Sequence, residues 1–296
     1  MYKDRDTLIK RARAKYISKG LSIKLLLANP SSPMKSSYFG SLLCSHNLQQ
    51  SGKRLTTSYC KQRWCAVCNR IRTAKLIAGY LPALREMKEP FFVTLTKQTV
   101  PGEELRSNID LMEKVWRQIL HSDSNRRRKI KGIRKGECTI RPSSHYHFHY
   151  HVIVDGKDAA EWLIKSWLSR LPGVADVQAQ DYKPANEDSL KEMFKYFTKL
   201  LVSDPNNGRE FYPSIRMDVI FQAMKGRRTI QPFGGLRPVE EDIEDLVGQV
   251  YDSLEGEDQM WRWSNTDWYN SEGQGLTGYE PNESFKALIN NGERSD

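Results

Sequence analysis

SHYHFHYHVIVDG, residues Ser144–Gly156, holds four of the six histidines of the 296-residue chain: His145, His147, His149 and His151, at every second position. Strict alternation is the period of a β-strand. On a strand the four imidazoles share one face, while Tyr146, Phe148, Tyr150 and Val152 take the other. Same-face neighbours are roughly 6.8 Å apart along a strand, so two long imidazoles can converge on one ion but four cannot. Neutral imidazole is the commonest metal ligand. The run therefore predicts a strand with a metal or phosphate site on its histidine face.

The surrounding segments extend the reading. IRKGECTIR (133–141) is a strand, and the Pro142-Ser143-Ser144 link makes it a hairpin with the histidine strand, so that Glu137 can face the imidazoles. FFVTLT (91–96) is β-branched and aromatic, a further strand. GEELRSNIDLMEKVWRQILH places Leu105, Ile109, Met112, Val115 and Ile119 at helical spacing. DAAEWLIKSWLSRL (158–171) and DSLKEMFKYFTKLLVS (188–203) are helices that start on an Asp cap, and ADVQAQDY (175–182) between them is a strand. MDVIFQAM (217–224) reads as a strand or a short helix, and KGRRTIQPFGGLR (225–237) as a basic loop. The order β-α-β-β-α-β-α predicts an α+β fold of the ferredoxin-like, RRM-like kind: an antiparallel sheet with helices on one face.

Toward the N-terminus, residues 3–27 form a basic helix that breaks at Asn29-Pro30, and residues 69–89 form a helix bent near Pro82. Between them lie Cys44, Cys60, Cys65 and Cys68. The short Cys60-x4-Cys65-x2-Cys68 spacing is that of a structural zinc site. Cys44 or His46 completes it, and Cys138 is read as core.

Charge divides the chain. Residues 1–238 carry 43 Lys/Arg against 21 Asp/Glu, whereas residues 239–296 carry 3 against 15. A basic body with a net charge of +22 is a polyanion binder. No apolar run approaches the roughly 18 residues that span a bilayer, and no secretory leader is visible. The expectation is a cytoplasmic protein with no membrane partner. Three regions follow: a basic, zinc-bearing segment (1–80), the α+β domain (81–237) and an acidic, partly disordered tail (238–296).

KEMFKYFTK (191–199) adds a second chemical candidate. On a helix Glu192, Tyr196 and Lys199 share one face. A tyrosinate can attack phosphorus. Lys199 or a metal would favour its ionised form, and Glu192 could activate water.

FVTLT, YHFHYHVIV and EMFKYFTK, in that order behind the cysteine cluster and ahead of KGRRTIQPFGGL, resemble the signature of rolling-circle plasmid replication initiators. Those belong to the endonucleases with a His–hydrophobe–His motif. The resemblance covers roughly residues 44–237. It implies His149 and His151 as metal ligands with Glu137 as the third, for Mn²⁺ or Mg²⁺. The family often has Pro where Phe148 stands, which leaves His147 and His149 as the other pair. It also implies Tyr196 as the nicking nucleophile, assisted by Lys199, and Glu192 as the group that ends a round. The implied partner is single-stranded or cruciform origin DNA, gripped by Arg126, Arg127, Arg128, Lys129, Lys131, Arg227 and Arg228. The acidic tail is a candidate for docking a host helicase or for dimer contacts. Two other readings stay open: a transposase or relaxase strand transferase, and a zinc-containing DNA-binding regulator without catalysis.

Overall fold

A computed structural model describes residues 2–141, 144–194, 201–202, 210–211, 213–238, 249–251, 254 and 257–290. In chain order the elements are α1 (Tyr2–Ala28), α2 (Lys35–Leu43), β1 (Asn47–Ser51), β2 (Arg54–Thr56), α3 (Ala66–Arg85), β3 (Pro90–Thr96), α4 (Leu105–Leu120), α5 (Asp123–Arg128), β4 (Gly132–Ile140), β5 (Tyr146–Asp155), α6 (Lys157–Arg170), β6 (Asp181–Pro184), α7 (Glu187–Glu192), β7 (Leu201–Val202), β8 (Glu210–Phe211), α8 (Ser214–Met224), β9 (Ile230–Phe233), β10 (Gln249–Val250), β11 (Gln259–Ser264), β12 (Asp267–Tyr269) and α9 (Glu283–Asn290). The chain divides into two compact units, one from residues 1–72, 200–218 and 242–296, the other from 73–199 and 219–241.

The second unit contains the sheet β6-β3-β5-β4-β9, every neighbour antiparallel. Its β3-α4-β4-β5-α6-β6 path places the fourth strand beside the first, then the third, then the second. This is the split βαβ arrangement expected from the sequence, with β9 added at the β4 edge. Tyr150 shows why the sheet's outer face is buried: its ring packs on Trp116 of α4 at 5.9 Å and on Trp167 of α6 at 5.8 Å. The opposite face is not open along its whole length, as helices on one face alone would leave it. Phe92, Ile133 and Ile153 are covered there by Leu81 and Leu84 of α3 and Leu190 of α7. The end that carries the histidines is left for polar groups.

In the first unit, the sheet β10-β2-β1-β11-β12 lies against α1. Trp261, Trp263 and Trp268 are buried with Leu8, Ala12, Leu48 and Leu55. The segment expected as a partly disordered tail thus supplies three strands, β10, β11 and β12, with Leu48 opposite Trp261 in register. Residues 239–248 lie outside the described residues.

Several local expectations change. MDVIFQAM is helix α8, and Ile230–Phe233 within the expected loop is β9. Arg126–Arg128 belong to α5, whose N-cap Ser122 accepts a hydrogen bond from the Asn125 N–H. The strand expected over 175–182 starts only at Asp181. The helix expected over 188–203 ends at Glu192, and Leu201–Val202 pair with Glu210–Phe211 as strand. Gly234 turns out of β9 at φ +65°, where a Cβ would lie 2.0 Å from the Ile130 carbonyl oxygen. Only glycine meets both conditions.

Candidate metal centre and its surroundings

Register builds the site. β5 is central, and His149 lies opposite Thr96 of β3 and Glu137 of β4, while His151 lies opposite Thr94 and Lys135. Period-two alternation puts His147, His149 and His151 on one face; His145 precedes the strand. His147 and His149 stack with ring centroids 5.0 Å apart, whereas His149 and His151 meet edge to face at 4.7 Å. That turn brings the two Nε2 atoms to 3.1 Å. Ligand atoms of Glu137, His149 and His151 all lie within 4.8 Å of one another. His147 points elsewhere: its Nε2 meets the Thr96 hydroxyl and its Nδ1 lies 3.3 Å from the Arg141 guanidinium. Of the two histidine pairs, the geometry therefore groups His149 and His151.

The electrostatics suit a cation. Burial, foremost, pushes His149 and His151 down to about 4, so both rings are neutral at pH 7. Burial alone would raise the Glu137 carboxyl. The charge and hydrogen bond of Lys135, aided by the two imidazoles, outweigh it and hold Glu137 below the usual carboxylate range. Metal ligands must be deprotonated to bind, and all three are. His149 Nδ1 lies 3.2 Å from the His147 carbonyl, an acceptor only, so Nδ1 carries the proton and Nε2 offers its lone pair. His151 Nδ1 is 3.4 Å from the Thr94 hydroxyl. Two nitrogens bound cis to one ion at ~2.1 Å would lie about 3.0 Å apart. The observed 3.1 Å separation fits.

Lys135 is a site residue that motif reading missed. It is 1% exposed, and its Nζ donates to Glu137 Oε2 at 2.8 Å and to the Glu192 carbonyl at 3.3 Å. The signal was present in the strand period, since Lys135 and Glu137 are two apart and face the same way. Glu192 is the last residue of α7. Tyr196 and Lys199 lie outside the described residues.

The cysteines form a second group. Sγ atoms of Cys44, Cys60, Cys65 and Cys68 lie within 4.8 Å of one another, and His46 is not among them. Cys44 and Cys60 approach Cys68 at 3.5 and 3.6 Å. Sulfurs bound tetrahedrally at ~2.3 Å would be about 3.8 Å apart, so the four thiols fit one ion. Hydrogen bonds from Cys44, Cys60 and Cys68 hold Cys65 well below the usual thiol range. α1 supplies what the motif did not reveal. Ser18 Oγ accepts from the Ala66 N–H at 2.6 Å and lies 3.5 Å from Cys65 Sγ. Fully buried Lys15 donates to the Leu42 and Cys44 carbonyls at 2.9 and 2.6 Å. Its cation offsets the negative charge that four thiolates would leave around a dication. Cys138 is buried in β4 apart from this group, and burial raises its thiol.

The basic residues differ in availability. Arg126, Arg127, Arg128, Lys129, Lys131 and Arg228 are exposed. Arg227 is not available as expected: its side chain is 9% exposed and pairs with Asp110 at 2.7 Å and Glu113 at 2.9 Å. Two carboxylates neutralise the guanidinium, so it pins the turn between α8 and β9 to α4 instead of meeting phosphate.

Comparison with known proteins finds replication proteins. Residues 52–158 match the Rep_1 family, described as replication protein. The chain is 29% identical over 165 residues to a Protein rep of Staphylococcus aureus, covering 47% of this chain and 69% of that protein. It is 25% identical over 126 residues to a Protein rep of Lentilactobacillus hilgardii, covering 39% of this chain and 40% of that one. No solved structure matches the chain. Among the described residues, no helix is long and apolar enough to cross a membrane.

Proposed function

We propose that this chain, a plasmid replication initiator of the Rep class, starts rolling-circle replication by nicking one strand of its origin with Tyr196. The observation that carries the reading is the convergence of Glu137, His149 and His151 on one end of the sheet face, with Lys135 joining it to the end of α7, four residues before Tyr196 in the sequence. These three residues would hold Mn²⁺ or Mg²⁺. When bound, such an ion acts as a Lewis acid on a phosphoryl oxygen.

The chain's own groups do the rest. Tyr196 Oη attacks the phosphorus of a phosphodiester in single-stranded or extruded origin DNA. A Tyr–O–P bond forms, the bond from phosphorus to the 3′ oxygen breaks, and a free 3′-OH remains to prime synthesis. The energy of the ester is kept in the 5′-phosphotyrosine. Tyrosine titrates near ~10, so Lys199 serves to favour the tyrosinate. Tyr196 follows Glu192 by four residues, which limits their Cα separation to about 14 Å. The Glu192 carbonyl is itself 3.3 Å from Lys135. Glu192 would take the proton from water to release the DNA at the end of a round. Arg126, Arg127, Arg128, Lys129, Lys131 and Arg228 would hold phosphates, giving binding that weakens with salt. The four cysteines would hold a structural zinc ion. A host helicase and a second copy of the chain remain the partners proposed for the acidic C-terminal segment.

The test is a denaturing gel of labelled single-stranded origin DNA mixed with protein and Mn²⁺. Wild type gives a band of protein-bound DNA that survives denaturant. Tyr196→Phe gives none, and Glu192→Ala forms the adduct but fails to resolve it. An adduct persisting in Tyr196→Phe would mean a different nucleophile. Tight DNA binding with no adduct would favour a regulator without catalysis.

A further inference from the structure

We propose that Lys135 is a positioning residue that couples the Glu137, His149 and His151 ligand set to the end of α7; the catalytic consequence rests on the nicking reading above. Taking an ammonium group out of water is costly, and an apolar side chain of the same length would pack there at lower cost. Lys135 is nonetheless 1% exposed, and its two acceptors among the described residues belong to different parts of the site. One is the Glu137 carboxylate, at 2.8 Å; the other is the main-chain carbonyl of Glu192, at 3.3 Å. Hydrogen bonds to charged partners are the stronger kind.

The first bond fixes the Glu137 rotamer that keeps a carboxylate oxygen within 4.8 Å of ring nitrogens of His149 and His151. Glu137 Oε2 is 3.6 Å from His151 Nε2. The second bond fixes the main chain where α7 ends and the segment leading to Tyr196 begins. A cation that draws on the Glu137 carboxylate alters the Lys135–Glu137 bond, and through Lys135 it alters the hold on the Glu192 carbonyl. Metal binding and the placement of the α7 end are thereby linked by one side chain. Neighbouring Met193 and Phe194 are buried against Phe92, Ile133 and Ile153, so a shift at Glu192 is transmitted to a packed element.

The test uses the full chain and Mn²⁺ alone, read by amide hydrogen exchange. In wild type, Mn²⁺ slows exchange in residues 190–194. In Lys135→Met that protection disappears while Mn²⁺ still binds at saturating concentration, its affinity lowered about 10- to 100-fold, the range of a lost outer-shell partner. Adduct formation at saturating Mn²⁺ and DNA falls about 10- to 100-fold, as expected for one hydrogen bond to a charged group. The KM for DNA is unchanged, and Lys135→Arg recovers part of the rate. Equal protection in Lys135→Met, or a rate within about threefold of wild type, would overturn the proposal. Wild-type protein that forms the Tyr196 adduct without Mn²⁺-dependent protection would overturn the coupling alone, whatever the variant's folding. Protection without any adduct would instead overturn the nicking reading and leave the link between metal and α7 standing.

Discussion

Replacing His149 and His151 together by alanine slows the proposed origin nicking at least about a thousandfold, because even one group aimed at developing charge is worth ~10²–10³ in rate. The double variant keeps its fold, since both side chains stand on the polar end of the sheet face while the Tyr150, Trp116 and Trp167 packing lies on the other. It also removes a source of acid lability. The folded imidazoles of His147, His149 and His151 sit at about 4, below the ~6.5 of an unfolded chain. As the pH falls from ~6.5 the unfolded chain takes up protons first. The stability associated with neutral, buried rings is therefore complete above pH ~6.5 and is lost as the pH falls through about 4. Thermal melts across that window will show a steep fall for wild type and a shallower one for the double variant, in which His147 alone remains of the three. Mn²⁺ raises the wild-type melting temperature at pH 7 and loses this effect in the same window. Nicking by the double variant within tenfold of wild type, or identical pH slopes, would remove these histidines from the site.

Chelation, or Cys65→Ser, has the largest expected effect on stability. A structural zinc ion contributes roughly 10–16 kcal/mol of apparent binding energy in small metal-folded modules, comparable with the whole stability of a domain. Cys65 is fully buried, and its neighbours Cys44, Ala66, Val67 and Cys68 are packed with Ala14 of α1. Without the ion, four thiols within 4.8 Å of one another lose the group that would hold them together. The first unit should then open while the ferredoxin-like sheet survives. Wild type is expected to carry zinc in stoichiometric amount, and Cys65→Ser almost none. Limited proteolysis of the variant should cut within residues 1–72 and leave the second unit intact. A wild type free of zinc, with a melting curve unmoved by chelator, would leave the cysteines as a thiol core only.

Alternation in residues 144–156 was enough to predict strand β5 and its histidine face, and the short Pro142-Ser143-Ser144 link its hairpin with the strand that carries Glu137. That signal is local: with a period of two, one glance along the strand sorts every side chain to a face. The order of strands and helices around it likewise carried the sheet topology, because short connections leave few ways to pair neighbouring elements. MDVIFQAM was ambiguous because a short apolar run fits a buried helix as well as a strand. Arg227 looked like its exposed neighbour Arg228, and only the approach of Asp110 and Glu113 from α4 separates the two.

What the amino-acid sequence determined by itself was the set of chemical groups and their local spacing: a histidine strand, a facing glutamate, three closely spaced cysteines and a basic body. Tertiary structure alone decided which groups meet. It brought Cys44 and not His46 to the other sulfurs, placed Lys135 between Glu137 and α7, and laid β11 beside β1. Those outcomes depend on contacts between residues far apart in the chain, up to some 200 positions for Leu48 and Trp261. Such pairings are stabilised by shared burial rather than by any periodicity within either segment, so neither segment read alone announces its partner.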